Sequence, residues 1–275
     1  MAGETLAESM GCVSELARAG RRVILNHLGE NVATTEDARA ARNSYVEMIE
    51  TLHEAGIDGN ISIKLTQLGL DFDRELCLSL AGDIAAAAGR LGRTIEVDME
   101  SSPYVAATLD IFEAIQRQYG NAGLAIQAYL KRSEHDIERL APLRPKIRLV
   151  KGAYREPASI ALQSKHEVDA NYRKLLDRLL APDSDAPFVT AIATHDPALQ
   201  RYAIETIRRN GLAADRYEFQ MLLGIRRDLQ DALFTQGHPL RIYVPFGTAW
   251  CPYFMRRLAE RPANLWFVVR SLLAE

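Results

Sequence analysis

The sequence predicts a (βα)8 TIM barrel, and three observations carry that prediction. Eight short β-type runs recur along the chain, amphipathic helical stretches separate them, and no low-complexity linker or composition break divides the whole. Several of the runs are nearly continuous in apolar residues. That suits parallel strands covered by helices on one face and filled by a barrel interior on the other. A doubly wound open sheet is the rival architecture, but no GxGxxG turn follows any early strand. The expected domain is therefore residues 1–275 as a single, distorted barrel, with a helical extension at 1–20 and the barrel and closing helices at 21–275.

The elements follow in order. A helix over Leu6–Ala19 precedes the first strand, Val23–Leu28. Thr35–Glu54 reads as a helix because Ala38, Ala41, Tyr45, Met48, Ile49 and Leu52 recur at helical spacing, with Thr35 as its cap. Strand Ile61–Leu65, helix Asp73–Arg90, strand Thr94–Met99, helix Tyr104–Tyr119 and strand Leu124–Tyr129 complete the first half. After a short helix near Glu134–Leu140 come strand Lys146–Lys151 and a long helix, Pro157–Leu180. Strand Phe188–Thr194, helix Pro197–Arg209, strand Tyr217–Met221, helix Arg226–Gln236 and strand Leu240–Val244 close the series. Pro157 and Pro197 sit where a first helical turn tolerates proline, and Gly56, Gly120 and Gly211 sit where helix C-terminal glycines are expected. One or two further helices after the eighth strand are expected to bring residues to the active site.

Composition excludes several classes. A net charge of −3 with no basic tail leaves no electrostatic footprint for nucleic acid. Cys12, Cys77 and Cys251 are odd in number and have no metal-ligand spacing, so they read as reduced thiols of a cytoplasmic protein. No apolar run approaches the roughly 20 residues of a membrane span, and no signal-peptide core opens the chain. GxSxG, HExxH and P-loop motifs are absent, which argues against classical hydrolase and kinase chemistry.

A TIM barrel builds its site at the C-terminal ends of its strands. There the sequence places Lys64, Asp98 and Glu100, Gln127, Arg148 and Lys151, Thr194 and His195, Gln220, and Tyr243, from seven consecutive strands. Each has a bland reading when taken singly. Lys64 could snorkel at an edge, Glu100 could cap the following helix, His195-Asp196-Pro197 could simply start a helix, and Gln220 could satisfy backbone. Buried cations at the same rim are nevertheless better explained by a site than by packing. Near the C-terminus, Tyr253, Arg256, Arg257 and Glu260 fall on one helical stripe. It reads either as a solvated face or as a clamp in which guanidinium forks take a carboxylate and Tyr253 covers an apolar ring. Cations, amides and a tyrosine without a nucleophile suggest a borrowed cofactor.

Five motifs then become specific. Leu149-Val150-Lys151-Gly152-Ala153-Tyr154, Ala193-Thr194-His195, Glu218-Phe219-Gln220, Arg241-Ile242-Tyr243-Val244-Pro245 and the Tyr-x-x-Arg-Arg-x-x-Glu helix from Tyr253 to Glu260 resemble the proline dehydrogenase family. Ser62-Ile63-Lys64-Leu65-Thr66-Gln67-Leu68-Gly69 is similar to its bacterial monofunctional branch. The resemblance covers most of Arg22–Leu273. It departs at Phe246, where a tyrosine is common, and at Cys251.

The resemblance implies oxidation of L-proline to Δ1-pyrroline-5-carboxylate by hydride transfer from C5 to N5 of non-covalently held FAD. It implies that Arg256, Arg257 and Lys64 hold the substrate carboxylate, with Ala153, Tyr154, Leu222, Tyr243 and Tyr253 shaping the pocket. Gln127, Arg148, Val150, Lys151, Gly152, Ala153, Thr194, His195 and Gln220 would contact FAD, while Asp98 organises charge and Glu260 orients the arginine pair. It further implies electron transfer to a quinone, transient contact with the inner face of the membrane, and hand-over of product to a Δ1-pyrroline-5-carboxylate dehydrogenase. Two other readings stay open: a Schiff-base lyase using Lys64 or Lys151, and a flavin-binding protein without turnover. Within the enzyme reading, 4-hydroxyproline is the competing substrate, and Tyr243 crowding the ring favours proline.

Overall fold

A computed structural model describes residues 1–29, 31–182 and 188–249 of the chain. Eight parallel strands close into a barrel in sequence order: β1 (Arg22–His27), β2 (Gly59–Ile63), β3 (Ile95–Val97), β4 (Ala122–Gln127), β5 (Lys146–Val150), β6 (Val189–Ala193), β7 (Tyr217–Leu222) and β8 (Leu240–Phe246). The ring is sealed by β1 against β8, with Arg22 opposite Arg241 and His27 opposite Phe246. Closure leaves no unpaired strand edge. This is the predicted (βα)8 architecture.

Helices α2 (Thr35–Glu54), α3 (Arg74–Arg90), α4 (Val105–Tyr119), α5 (Ser133–Leu140), α6 (Lys165–Leu179), α7 (Pro197–Arg209) and α8 (Arg227–Thr235) connect successive strands. The expected preceding helix, α1 (Leu6–Arg18), packs its Val13 into the core. On α2, the buried residues Ala38, Tyr45, Met48, Ile49 and Leu52 form the predicted apolar stripe, laid over β2. Gly56, Gly120 and Gly211 all take positive φ at helix ends, where a side chain would be strained.

Three local readings need correction. The cap of α2 is Thr34, whose hydroxyl accepts from the amide of Asp37, and not Thr35. The helix expected from Pro157 begins only at Lys165. Ser164 and Glu167 form a capping box there, while the chain before it pairs Ala161 with Leu130 in an antiparallel bridge. Proline disfavours helix in the residue before it, and the Ser-x-x-Glu signal is the stronger start. Glu100 does not cap the next helix. Its carboxylate accepts from the amide of Thr66 at 3.1 Å and from its hydroxyl at 2.6 Å, tying the loop after β3 to the loop after β2. The closing helices expected after β8 lie outside the described residues.

Candidate active site

Alternate residues of a barrel strand share the interior face. On β3 and its extension those residues are Glu96 and Asp98. On β2 they are Ser62 and then Lys64, on β5 Lys146 and Arg148, on β7 Glu218 and Gln220, and on β8 Arg241 and Tyr243. The sequence period therefore stacks two charged layers inside the barrel.

The upper layer is built on Asp98. Its Oδ1 accepts from Ser62 Oγ and Arg148 Nη2, both at 2.7 Å. Its Oδ2 accepts from Lys64 Nζ at 2.7 Å and Tyr243 Oη at 3.0 Å. Lys64 and Arg148 are only 7% and 4% exposed, so the pairing is what keeps both charged away from water. Burial alone would raise the Asp98 pKa, but the adjacent Lys64 and Arg148 override it and hold the carboxyl far below the usual range. The Tyr243 ring also lies under the Arg148 guanidinium, 5.6 Å from its centroid.

The lower layer fills the barrel floor. Lys146 Nζ donates to Glu96 Oε1 and Glu218 Oε1, each at 2.7 Å. Arg241 Nε donates to both oxygens of Glu218 at 3.0 and 3.1 Å, and its Nη1 donates to the Val23 carbonyl at 2.9 Å. Gln220 Nε2 donates to Glu96 and Glu218, which links this layer to the one above.

Above these layers opens a cavity of about 960 Å3, at the upper end of the ~300–1,000 Å3 range of small-molecule sites. Of the residues singled out from sequence, it is lined by Lys64, Asp98, Gln127, Arg148, Val150, Lys151, Gly152, Ala153, Tyr154, Thr194, His195, Gln220, Leu222 and Tyr243. Gln127 is oriented by donation from its Nε2 to the Glu100 carbonyl at 2.9 Å, and His195 Nε2 accepts from the Leu222 amide at 2.9 Å. Lys151 is held at the mouth by Asp169 and Asp196, which Lys165 also bridges. Gly152 has φ +120°, and a Cβ there would lie 2.2 Å from a Tyr129 ring carbon, so only glycine lets this backbone run along the cavity wall. Asp196 and Pro197 do start α7 as the bland reading had it, yet His195 beside them faces the cavity as well.

Sequence reasoning missed Ser62, Glu96, Lys146, Glu218 and Arg241 as members of the cluster. A signal was present: charged residues two positions apart on otherwise apolar strands, as in Glu96-Val97-Asp98 and Lys146-Ile147-Arg148. Tyr253, Arg256, Arg257 and Glu260 lie outside the described residues.

The fold and site together define a (βα)8 protein with a charged cavity at the C-terminal ends of its strands. A family model for proline dehydrogenase matches residues 10–270, and the chain belongs to that family. It is 38% identical over 278 residues to proline dehydrogenase of Deinococcus radiodurans, covering 99% of this chain and 88% of that protein. It is 36% identical over 273 residues to proline dehydrogenase 1 of Bacillus subtilis subsp. natto, with 99% and 89% coverage. In fold it is similar to proline utilization A from Bdellovibrio bacteriovorus inactivated by N-propargylglycine, with a TM-score of 0.86 and 22% identity, covering 94% of this chain and 32% of that longer one.

Proposed function

We propose that this chain oxidises L-proline to Δ1-pyrroline-5-carboxylate with FAD bound at the mouth of the barrel, all within one domain. The observation that carries the reading is the pair of buried cations, Lys64 and Arg148, clasped by Asp98 on the floor of a ligand-sized cavity. The residues present fit a flavin. Gln220 Oε1 is buried without a hydrogen-bond donor among the described residues, and Gly152 clears backbone along the wall. Arg148 supplies positive charge that favours an electron-rich bound group. Gln127, Arg148, Val150, Lys151, Gly152, Ala153, Thr194, His195 and Gln220 would hold it. When bound, the flavin would supply an acceptor for a hydride.

The chain's own residues then have separate tasks. Lys64 spends one N–H on Asp98 and keeps two for the substrate carboxylate, which the resemblance also assigns to Arg256 and Arg257. Tyr243, Tyr154, Leu222, Ala153 and, by resemblance, Tyr253 close around the ring. Positioning C5 is the main contribution, because hydride transfer needs close, aligned approach. Proline loses two electrons with the C5 hydrogen, and its nitrogen gives up a proton to solvent. Asp98 is a poor acceptor for that proton, because Lys64 and Arg148 hold it ionised; it organises charge instead. By resemblance the electrons go on to a quinone, which would bring the protein to the inner face of the membrane from the cytoplasm. The product would pass to a Δ1-pyrroline-5-carboxylate dehydrogenase. No helix among the described residues is long and apolar enough to cross a membrane.

The test is an absorbance spectrum of the purified protein followed by anaerobic addition of L-proline. A flavin spectrum that bleaches is the expected result. A protein that stays colourless after reconstitution with FAD overturns the reading.

A further inference from the structure

Glu96 sits beneath the cavity and does not line it, yet it touches two residues that do. Its Oε2 lies 3.3 Å from Arg148 Nε, while Asp98 takes Nη2 of the same guanidinium. Gln220 Nε2 donates to Glu96 Oε1 at 3.0 Å, to Oε2 at 3.1 Å and to Glu218 Oε1 at 2.8 Å. An amide oxygen turned toward those two carboxylates would meet two anions, so the carboxylates dictate the orientation of the amide. Gln220 therefore keeps its oxygen, and not its NH2, for whatever fills the cavity. Arg148 is hydrogen-bonded through Nη2 to Asp98 and Ser62, and Glu96 pairs with it by charge, 3.3 Å from an Nε that makes no hydrogen bond, while no described residue bonds its Nη1. Glu96 is itself only 1% exposed and is anchored from below by Lys146 at 2.7 Å. A side chain so placed is a rigid strut whose charge lies one contact away from the cavity.

We propose that Glu96 is a positioning residue that fixes Arg148 and Gln220 and, through its negative charge, sets the reduction potential of the flavin bound above them. The inference rests on the proposed flavin reading. Two consequences of its position oppose each other in kind. Its geometry aims a cation and an acceptor at the cavity. Its charge partly cancels Arg148, which makes an added electron pair less welcome than an unopposed arginine would. Removing the charge while keeping the shape should therefore shift the flavin toward its reduced form.

The experiment compares the FAD-loaded wild type with Glu96→Gln and Glu218→Gln, by anaerobic reductive titration against reference dyes and by thermal unfolding. Glu218 is the matched control. It is a buried floor carboxylate on Lys146, Arg241 and Gln220, but it makes no contact with Arg148. Glu96→Gln should move the equilibrium tenfold or more toward reduced flavin, about 30 mV for a two-electron couple. Glu218→Gln should move it less than threefold while losing at least as much thermal stability. Should Glu96→Gln fail to fold, Glu96→Asp keeps the charge but draws it back from Arg148, and a smaller shift in the same direction is expected. Equal shifts for the two glutamine variants, or a folded Glu96 variant with the wild-type potential, overturn the role of Glu96 alone. A wild type that takes up no FAD overturns both this inference and the flavin reading.

Discussion

Asp98 accepts from four side chains on three strands other than its own, and its removal has a definite cost. Asp98→Asn keeps the shape but leaves Lys64 and Arg148 buried beside a group that cannot neutralise them. Breaking a buried pair in this way costs about 3–5 kcal/mol. The loss depends on pH. The Asp98 carboxyl lies below its ordinary 3.8 in the folded state, so its contribution is complete above that value and fades as pH falls toward the folded one. Urea unfolding of wild type and variant at pH 7, 5, 4 and 3 should give a gap in stability that narrows below about pH 4. A gap that stays constant across the series contradicts this account of Asp98.

Among the elements, α6 shows where a helix is started by its cap and not by a proline. Ser164→Ala removes the hydroxyl that accepts from the Glu167 amide and should cost about 1 kcal/mol, read from the shift in unfolding midpoint at unchanged slope. The same region shows what was legible in the sequence. The eight strands were placed within two residues at either end, because apolar runs bounded by turns survive any tertiary context. The helix register on α2 was legible for the same reason. The segment before α6 was misread because its bridge to Leu130 is a contact between distant residues, which no local period encodes. The rim residues from Lys64 to Tyr243 could be found from strand ends alone. The floor of Glu96, Lys146, Glu218 and Arg241 was harder, because a charge within a strand reads as a solvent-facing position until the barrel closes around it.

At the scale of the whole molecule, the charged floor also clasps the barrel seam. Arg241 reaches from β8 to the Val23 carbonyl on β1 while holding Glu218 on β7. Arg241→Leu leaves the Glu218 carboxylate to Lys146 and Gln220, with Arg22 3.9 Å away, and opens the seam contact. The expected penalty is again about 3–5 kcal/mol, measured by urea unfolding. It should exceed the effect of removing any single exposed ion pair such as Lys174–Glu134, which is worth about 1 kcal/mol or less. A penalty no larger than that would mean that β1 and β8 hold together without the arginine.

The pairing of β1 with β8 also bears on how the chain is made. The Arg241–Val23 contact joins residues 218 positions apart, so the first strand leaves the ribosome long before its final neighbour exists. Until then β1 presents an apolar strand with one open edge, and so does each latest strand added beside its predecessor. A nascent parallel sheet of this kind folds slowly and can recruit other unfinished copies. Slower translation does not shorten that exposure, since the closing strand is the last of the eight to be made. Lower temperature, dilute expression and abundant holding chaperones act on the vulnerable interval itself. For this barrel, the yield of native protein is therefore governed by the time between the first strand and the eighth.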